Sequence, residues 1–413
     1  MPSRDHPIPN CRFCGSPLDR VFADLGSTPL ANRNLRPEEA AGERSHPLVA
    51  RVCGSCLLVQ VDDSVPPEDI FSDYDYFSST SSSWVTHARR YCEEMHTRFG
   101  LGAGSLVVEV ASNDGYLLEH FAAAGIAVLG VEPAANVAQA AVTKGIPTDI
   151  AFFGAERARR IAAQRGKADL MVANNVLAHV PQIRDFVAGF AELLSGEGIA
   201  TFEFPHLLKL IEGAQFDTIY HEHFFYWSLH SVEQVMASVG LRAFDVTSLP
   251  THGGSLRLFV CHQQAGHTAT ERLSEVRMRE QARKVDRIEG YAGLADRIAA
   301  IKAGFLNFLA RARAEQRVVA AYGAAAKGST FLNVCEVTHP EIKAVYDRNP
   351  VKQGKLTPGS HIPILAPEQM AELKPDYLII LPWNIADEIV ESLPELREWG
   401  GRFVTAVPTV KIF

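Results

Sequence analysis

The chain has 413 residues, 47% hydrophobic and 21% charged, an ordinary globular balance in a sequence too long for a single core. A formal net charge of −8 and an isoelectric point near 6.0 argue against a nucleic-acid-binding surface. No apolar run approaches the ~20 residues of a membrane span and the polar N-terminus lacks a signal-peptide core, so a soluble cytoplasmic protein without nucleic-acid or membrane partners is expected. Oligomeric state is left open, a monomer being compatible with everything in the sequence.

Cys11-x-x-Cys14 and Cys53-x-x-Cys56 form two knuckles that together offer four thiolates, the set a closed structural zinc site requires. The 38 residues between them demand a hairpin or loop. Four sulfurs saturate a tetrahedral ion, so this Zn2+ is expected to organise the fold and not to catalyse. A reduced, metal-free set or a redox pair are the alternatives. Residues 1–68 are expected to form a zinc-binding domain too small to stand on its core alone, the metal supplying on the order of 10 kcal/mol or more. Cys92, Cys261 and Cys335 are isolated and expected to be buried. Residues 74–84 have the composition of a linker, yet carry two tyrosines, a phenylalanine and a tryptophan among serines, which predicts a lid over a pocket.

From about 85 to 248 helix and strand alternate, predicting a doubly wound parallel sheet with strands at 106–110, 127–131, 169–173 and 199–204. The first strand, Leu106-Val107-Val108-Glu109-Val110, breaks into Ala111-Ser112-Asn113-Asp114-Gly115, small residues that let a backbone approach a ligand. A helix is expected from about Tyr116 to Ala124. The second strand stops at Glu132, where an acid can accept hydrogen bonds from both ribose hydroxyls of a nucleoside. A dinucleotide would want Gly-x-Gly-x-x-Gly for its pyrophosphate, but only Gly115 is present. Glu109 and Asp114 flank the loop and suit a cation better. S-adenosylmethionine (SAM), with a ribose, no phosphate, a sulfonium and an ammonium, answers these features. A degenerate NAD fold or a merely structural βαβ unit are the alternatives. The third strand runs into Asn174-Asn175-Val176-Leu177-Ala178-His179-Val180, at the carboxyl edge where such sheets bind ligands.

Residues 216–226 are the densest cluster of titratable groups. On a helix Tyr220 and His223 would share a face; on a strand His221 and His223 would. A neutral histidine is a general base near pH 7, a carboxylate can fix its tautomer, and a phenol or second histidine can hold an enolate oxygen. That inventory fits proton removal beside a carbonyl followed by carbon attack on the SAM methyl. Oxygen or nitrogen methylation needs only a proton acceptor, and a polar surface turn needs no chemistry at all. A metal site here lacks a third ligand with clear spacing.

Residues 270–315 are charged and helix-favouring, a connecting helix pair. The βαβ grammar then restarts with a strand at 318–322, the loop Gly323-Ala-Ala-Ala-Lys327-Gly-Ser, a strand from Ile342 to Tyr346 ending at Asp347, and apolar runs at 377–381 and 403–407. The loop is not a phosphate-binding P-loop, whose Gly-Lys dipeptide stands the other way round. Small residues with one lysine suit either a nucleotide phosphate or a packing turn.

Taken together the motifs resemble the sugar C-methyltransferases of antibiotic biosynthesis, which methylate TDP-linked 4-keto-6-deoxysugars at C3 and, in some members, C5. The resemblance covers nearly the whole chain. It rests on the paired knuckles, Tyr-Asp-Tyr-Phe-Ser-Ser at 74–79, Glu-Val-Ala-Ser-Asn-Asp-Gly-Tyr-Leu-Leu at 109–118, Asn-Asn-Val-Leu-Ala-His-Val at 174–180 and Tyr-His-Glu-His-Phe at 220–224. His-Gly-Gly-Ser-Leu-Arg at 252–257, Tyr-Gly-Ala-Ala-Ala-Lys-Gly at 322–328 and Asp-Arg-Asn-Pro at 347–350 continue it. It implies an α/β chain of three parts: a zinc-binding domain (1–68), a Rossmann-like SAM methyltransferase domain (69–248), and a second Rossmann-like domain for the nucleotide-sugar (249–413). It further implies His223 as the base that removes the proton alpha to the ketone, supported by Tyr220 and Glu222, with His179 lining the pocket. SAM would be held by Tyr76, Ser79, Glu109, Ala111, Asn113, Gly115, Tyr116, Leu117, Glu132, Pro133, Asn174 and Asn175. His221, Phe224 and His252 would meet the substrate, and Lys327, Arg348 and Lys352, on charge and position, its diphosphate. Where this chain has Ala111 the family commonly has Gly.

Overall fold

The computed structural model describes residues 8–62, 77–80 and 82–413. Strands β1 (Arg20–Thr28), β2 (His46–Val52) and β3 (Val59–Val61) form an antiparallel N-terminal sheet, β1 and β2 filling the stretch between the cysteine knuckles and β3 following the second. The next sheet contains β4 (Leu106–Val110), β5 (Ala127–Val131), β6 (Thr148–Asp149), β7 (Ala168–Asn174) and β8 (Leu194–Pro205), all parallel. The short β9 (Phe225–Tyr226) leaves this run and pairs with β3, so the N-terminal sheet has order β1-β2-β3-β9. The antiparallel pair β10 (Leu241–Leu249) and β11 (Ser255–His262) closes the larger sheet in the order β10-β11-β8-β7-β4-β5-β6.

β4 and β7 are buried on both faces, which is why they read as continuous apolar runs. Val108 and Val110 enter one core with Met171 and Ala173 of β7, while Val107 enters the other with Leu170 and Val172. The chain leaves β4 toward β5 on one side and returns to β7 on the other, so the ligand crevice lies above the carboxyl ends of β4 and β7.

The C-terminal sheet repeats this plan. β12 (Val319–Tyr322), β13 (Val345–Tyr346), β14 (Ile364–Leu365), β15 (Tyr377–Ile380) and β16 (Arg402–Thr405) are parallel, and β17 (Lys411–Ile412) is antiparallel at the edge. Its order, β14-β13-β12-β15-β16-β17, reverses direction between β12 and β15. One face packs with Leu48, Ala50 and Val52 of β2 and with Phe305 and Phe308 of the helix Leu294–Ala314 into one continuous core. The N-terminal sheet therefore shares its core with the C-terminal part.

Several expectations shift. The strand expected at 199–204 begins at Leu194, the one expected from Ile342 shrinks to Val345–Tyr346, and the helix expected at Tyr116–Ala124 is Leu118–Ala123. The antiparallel pair β10–β11 was not expected, because its alternating pattern lies outside the βαβ rhythm. Of the expected lid, Tyr74, Asp75, Tyr76 and Ser81 lie outside the described residues, and Trp84 is already in the helix Ser82–Phe99. The connecting helices are Glu271–Ala282 and Leu294–Ala314. Among the described residues no helix is long and apolar enough to cross a membrane.

Candidate active site

The loop after β4 is built to hold a ligand. Ala111, Asn113 and Gly115 take φ of 56°, 49° and 77°, and Asn175, after β7, takes 57°. Three non-glycine residues in the left-handed region at one sheet edge store local strain where a ligand would sit, and glycine adopts the same conformation freely at 115. Glu132 fixes the loop: its carboxylate accepts the amide of Asn113 at 2.9 Å and that of Ala134 at 2.9 Å. Asn113 accepts the amide of Ser78 at 2.9 Å, which draws the turn bearing Ser79 over this loop.

Glu109 is 1% exposed, and burial together with the charges of Glu132 and Asp114 holds its carboxyl well above the usual range. One oxygen each of Glu109, Asp114 and Asn174, and the hydroxyl of Ser112, are buried with no partner among the described residues. Asp114 already takes the Lys144 ammonium on one oxygen at 3.1 Å, and what stays open is a set of buried acceptors on Glu109, Asp114 and Asn174, so the site calls for a ligand rich in N–H and O–H donors and fits SAM. Tyr116 hydrogen-bonds Trp84 and Asn174, and Trp84 stacks on His87 at 5.0 Å. Leu117 is wholly buried in the core beneath and offers packing only.

Residues 219–223 form a turn, neither the helix nor the strand considered from sequence. It follows the short 3-10 helix Phe216–Thr218 and precedes β9, which ties it to the N-terminal sheet. Tyr220 and His223 nevertheless meet, with Oη and Nε2 2.6 Å apart. His223 Nδ1 is 3.2 Å from the carbonyl oxygen of Thr218, which can only accept, so Nδ1 carries the proton and the Nε2 lone pair faces the phenol. His179 Nδ1 donates to the Glu222 carbonyl at 2.8 Å, and its ring stands 4.8 Å from that of His223.

Burial pushes both imidazoles toward the neutral form. His179 falls to about 4, and His223 lies well below the ordinary histidine value, burial being aided by the neighbouring His179, His252 and Lys327. Burial raises the Glu222 carboxyl to about 7 although Asn32 donates to it. His252, edge-on to Trp84 at 6.0 Å, is lowered to about 4 by burial and by Lys327.

Two expected substrate residues go elsewhere. His221 Nε2 donates to the Pro47 carbonyl at 3.2 Å, and the Phe224 ring packs under the Arg12 guanidinium at 5.2 Å. Both serve the N-terminal sheet, because the turn directs His221 to Pro47 of β2 and the carbonyl of Phe224, next to β9, accepts the Val61 amide of β3. Arg348 is exposed and bonds the Tyr322 hydroxyl; Lys352 donates to the Ala324 carbonyl at 2.8 Å beside Asp347. Lys327 has different partners, Asn384 Oδ1 at 2.9 Å, the His252 carbonyl at 3.5 Å and the Trp383 ring at 5.1 Å.

Residues missed from sequence complete the site. Glu203, 1% exposed at the end of β8, is held by His87 at 3.0 Å and by Arg257 at 2.7 Å. Asp217 accepts from Trp383 Nε1 at 2.6 Å. Arg257 stood inside a quoted motif, Asp217 inside the titratable stretch 216–226 and Glu203 inside an expected strand, but Asn32, Trp383 and Asn384 carried no local signal.

The four sulfurs of Cys11, Cys14, Cys53 and Cys56 lie within 4.8 Å of one another, with Cys11 and Cys56 at 3.6 Å and Cys14 and Cys53 at 3.4 Å. Zn–S bonds of about 2.3 Å in a tetrahedron place sulfurs about 3.8 Å apart, so the set fits zinc. Amides of Cys14 and Cys56 and the Gln60 side chain donate to these sulfurs, as thiolates require.

Family models describe the same three parts: a zinc binding domain over residues 11–71, a methyltransferase domain over 84–246 and a C-methyltransferase C-terminal domain over 250–408. The C-methyltransferase NovU of Streptomyces niveus is 38% identical over 407 residues, 98% of this chain and 97% of its own. A SAM-dependent methyltransferase from Clostridium acetobutylicum ATCC 824 is similar at 13% identity and a TM-score of 0.35, covering 47% of this chain and 95% of its own. The magnesium protoporphyrin IX methyltransferase of Synechocystis PCC 6803 with bound SAM is similar at 14% identity and a TM-score of 0.35, covering 49% and 99%.

Proposed function

The chain belongs to the C-methyltransferases, SAM-dependent enzymes with a zinc-binding N-terminal domain, and from that premise we propose that it methylates the carbon beside the ketone of a TDP-linked 4-keto-6-deoxysugar, at C3. One observation carries the ketone chemistry: a half-buried neutral imidazole whose proton is pinned on Nδ1 by the Thr218 carbonyl, leaving Nε2 as a base. A carbon acid needs such a base out of bulk water, with a donor nearby for the enolate oxygen.

Bound SAM supplies an electrophilic methyl group on a positively charged sulfur. Glu132 would take its ribose, with Pro133 and Asn175 beside it. Glu109, Asp114 and Asn174 would take its ammonium end, and Tyr76 and Ser79 would cover it. His223 would remove the C3 proton once Tyr220 turns its hydroxyl from Nε2 toward the developing oxyanion. His179 would hold the turn through the Glu222 carbonyl, and Glu222 would meet a sugar hydroxyl. The nucleotide would sit on the C-terminal part, with Arg348 and Lys352 near the diphosphate. Domain limits at 68/69 and 248/249 accompany this reading, with β11 reaching from the third part back into the larger sheet beside β8.

The test is mass spectrometry of the product formed from SAM and a TDP-4-keto-6-deoxysugar deuterated at C3. Gain of one methyl with loss of the deuterium is expected. A methyl gained with deuterium kept would move the reaction to C5, oxygen or nitrogen. SAM bound but never consumed across a ketosugar panel would remove the ketosugar reading. In addition, His223→Ala should lower turnover by roughly 10²–10⁴, and a near-normal rate would remove His223 as the base.

A further inference from the structure

We propose that Lys327, from the C-terminal domain, is a catalytic residue of this methyltransferase, its ammonium stabilising the substrate's carbonyl oxygen as negative charge develops there, with Asp217 as the distant counter-ion. The proposal rests on the reading above that a proton is removed beside a ketone.

Lys327 lies at the start of the helix Ala326–Val334, where the C-terminal sheet reverses direction. Its side chain reaches across to the other sheet's site. Nζ donates to Asn384 and lies at the edge of hydrogen-bond range from the His252 carbonyl, over the Trp383 face. These contacts occupy two of its three N–H directions. Asp217 acts on it electrostatically, yet no carboxylate of the described residues forms a contact ion pair with it. Asp217 is turned aside by Trp383, which takes one carboxylate oxygen and leaves the other without a partner. A contact pair would already have satisfied the ammonium; this one is fixed, partly desolvated and still short of an anion. Such a preorganised cation is what a developing oxyanion requires.

Its position ties it to the base. Thr330, on the same helix as Lys327, donates to the Ile219 carbonyl at 3.2 Å where the turn bearing His223 begins, and Lys327 Nζ lies 3.5 Å from the His252 carbonyl, so helix, turn and His252 are packed together; the Lys327 charge bears on both imidazoles. His179, Tyr220, His223, His252, Lys327 and Trp383 are all only half-buried, as the walls of one cleft would be. In the proton step the C3–H bond breaks, the proton goes to His223 Nε2, the bond pair becomes the C3–C4 double bond, and the carbonyl pair moves onto oxygen. When the new carbon–methyl bond forms, the carbonyl returns and the sulfur–methyl pair stays on sulfur. Lys327 opposes a positive charge on His223 only while it is uncompensated. An oxyanion beside Lys327 cancels that opposition, so charge on oxygen and proton transfer to His223 assist each other.

The sequence alone grouped Lys327 with Arg348 and Lys352 as a diphosphate ligand, and one experiment separates the roles. Lys327→Met and Lys327→Arg are compared with wild type for exchange of the C3 hydrogen in D2O with S-adenosylhomocysteine bound, for methyl-transfer kcat, and for the Kd of TDP alone. The expectation is that Lys327→Met slows exchange and kcat together by about 10²–10³, leaves TDP affinity within about threefold, and that Lys327→Arg recovers a good part of the loss. TDP binding weakened tenfold with kcat retained would make Lys327 a diphosphate ligand and overturn the proposal. Exchange by Lys327→Met close to the wild-type rate would overturn it too. If that variant does not fold, Asn384→Leu removes the acceptor that aims the ammonium and should slow exchange with TDP affinity unchanged; unaltered exchange overturns the proposal. Wild type that neither exchanges nor methylates any ketosugar would defeat the ketosugar reading itself.

Discussion

Glu222 sits in the catalytic turn as a carboxyl that would be more comfortable protonated. Burial raises it to about 7 from an ordinary 4.5. A folded-state pKa above the unfolded one means a stabilising contribution that is whole below about pH 4.5 and is lost as pH rises through 7. Glu222→Gln keeps the acceptor for Asn32 and removes the ionisation. The variant should therefore match wild type below about pH 4 and exceed it above pH 7 by roughly 3 kcal/mol. Urea midpoints at several pH values measure this, and a difference that does not grow with pH would contradict the raised carboxyl. At this scale the sequence was legible in residue type, less so in direction. Tyr220 and His223 were recognised as partners, but nothing local shows that His221 and Phe224 turn to Pro47 and Arg12, because that depends on a strand far away in sequence. Ala111 is similar: its φ of 56° gives a physical reason for the glycine common in the family, at a cost of about 1–2 kcal/mol for a Cβ there.

Between residue and domain, the turn Thr251–Gly253 joins the two Rossmann-like halves of the cleft. Gly253 has φ of 86°, and a Cβ on it would lie 2.5 Å from the Trp383 ring. The glycine is what lets Trp383 close down and donate to Asp217. Gly253→Ala must strain the backbone and displace that ring, so a destabilisation of roughly 1–3 kcal/mol is expected, with tryptophan fluorescence shifted toward that of exposed indole. Unchanged fluorescence and stability would mean the turn does not set Trp383. The His-Gly-Gly motif was visible in the sequence, yet its reason was not, since Trp383 lies 130 residues further on. Elements followed the same division. β4, β5 and β7 announced themselves through apolar runs buried on both faces, whereas β9 has two residues and exists only because β3 pairs with it.

Across the whole molecule, the zinc cluster and the catalytic turn are joined by a short mechanical path. Gln60 donates to Cys11 Sγ at 3.2 Å and accepts the Arg12 amide at 3.0 Å, and it lies on β3 paired with Phe225 of β9. The chain from β9 runs back within two residues to His223, while Asn32, between β1 and β2, donates to Glu222. The N-terminal sheet thus forms one wall under the base, although four thiolates leave the metal no open position for chemistry. Removing the metal would set four thiolates against each other and release the knuckles that frame β3, since zinc binding and local folding are one equilibrium. A strong chelator should release one zinc per chain, expose four reactive thiols, and lower kcat by tenfold or more. SAM affinity should change little, because Glu109, Asn113 and Glu132 belong to the other sheet. Calorimetric SAM binding, a thiol count and methyl-transfer rates on one chelated sample measure all three. Full activity in a chain shown to be metal-free would break the path, and an equal loss of SAM affinity would mean that zinc holds the whole fold together and not this wall alone.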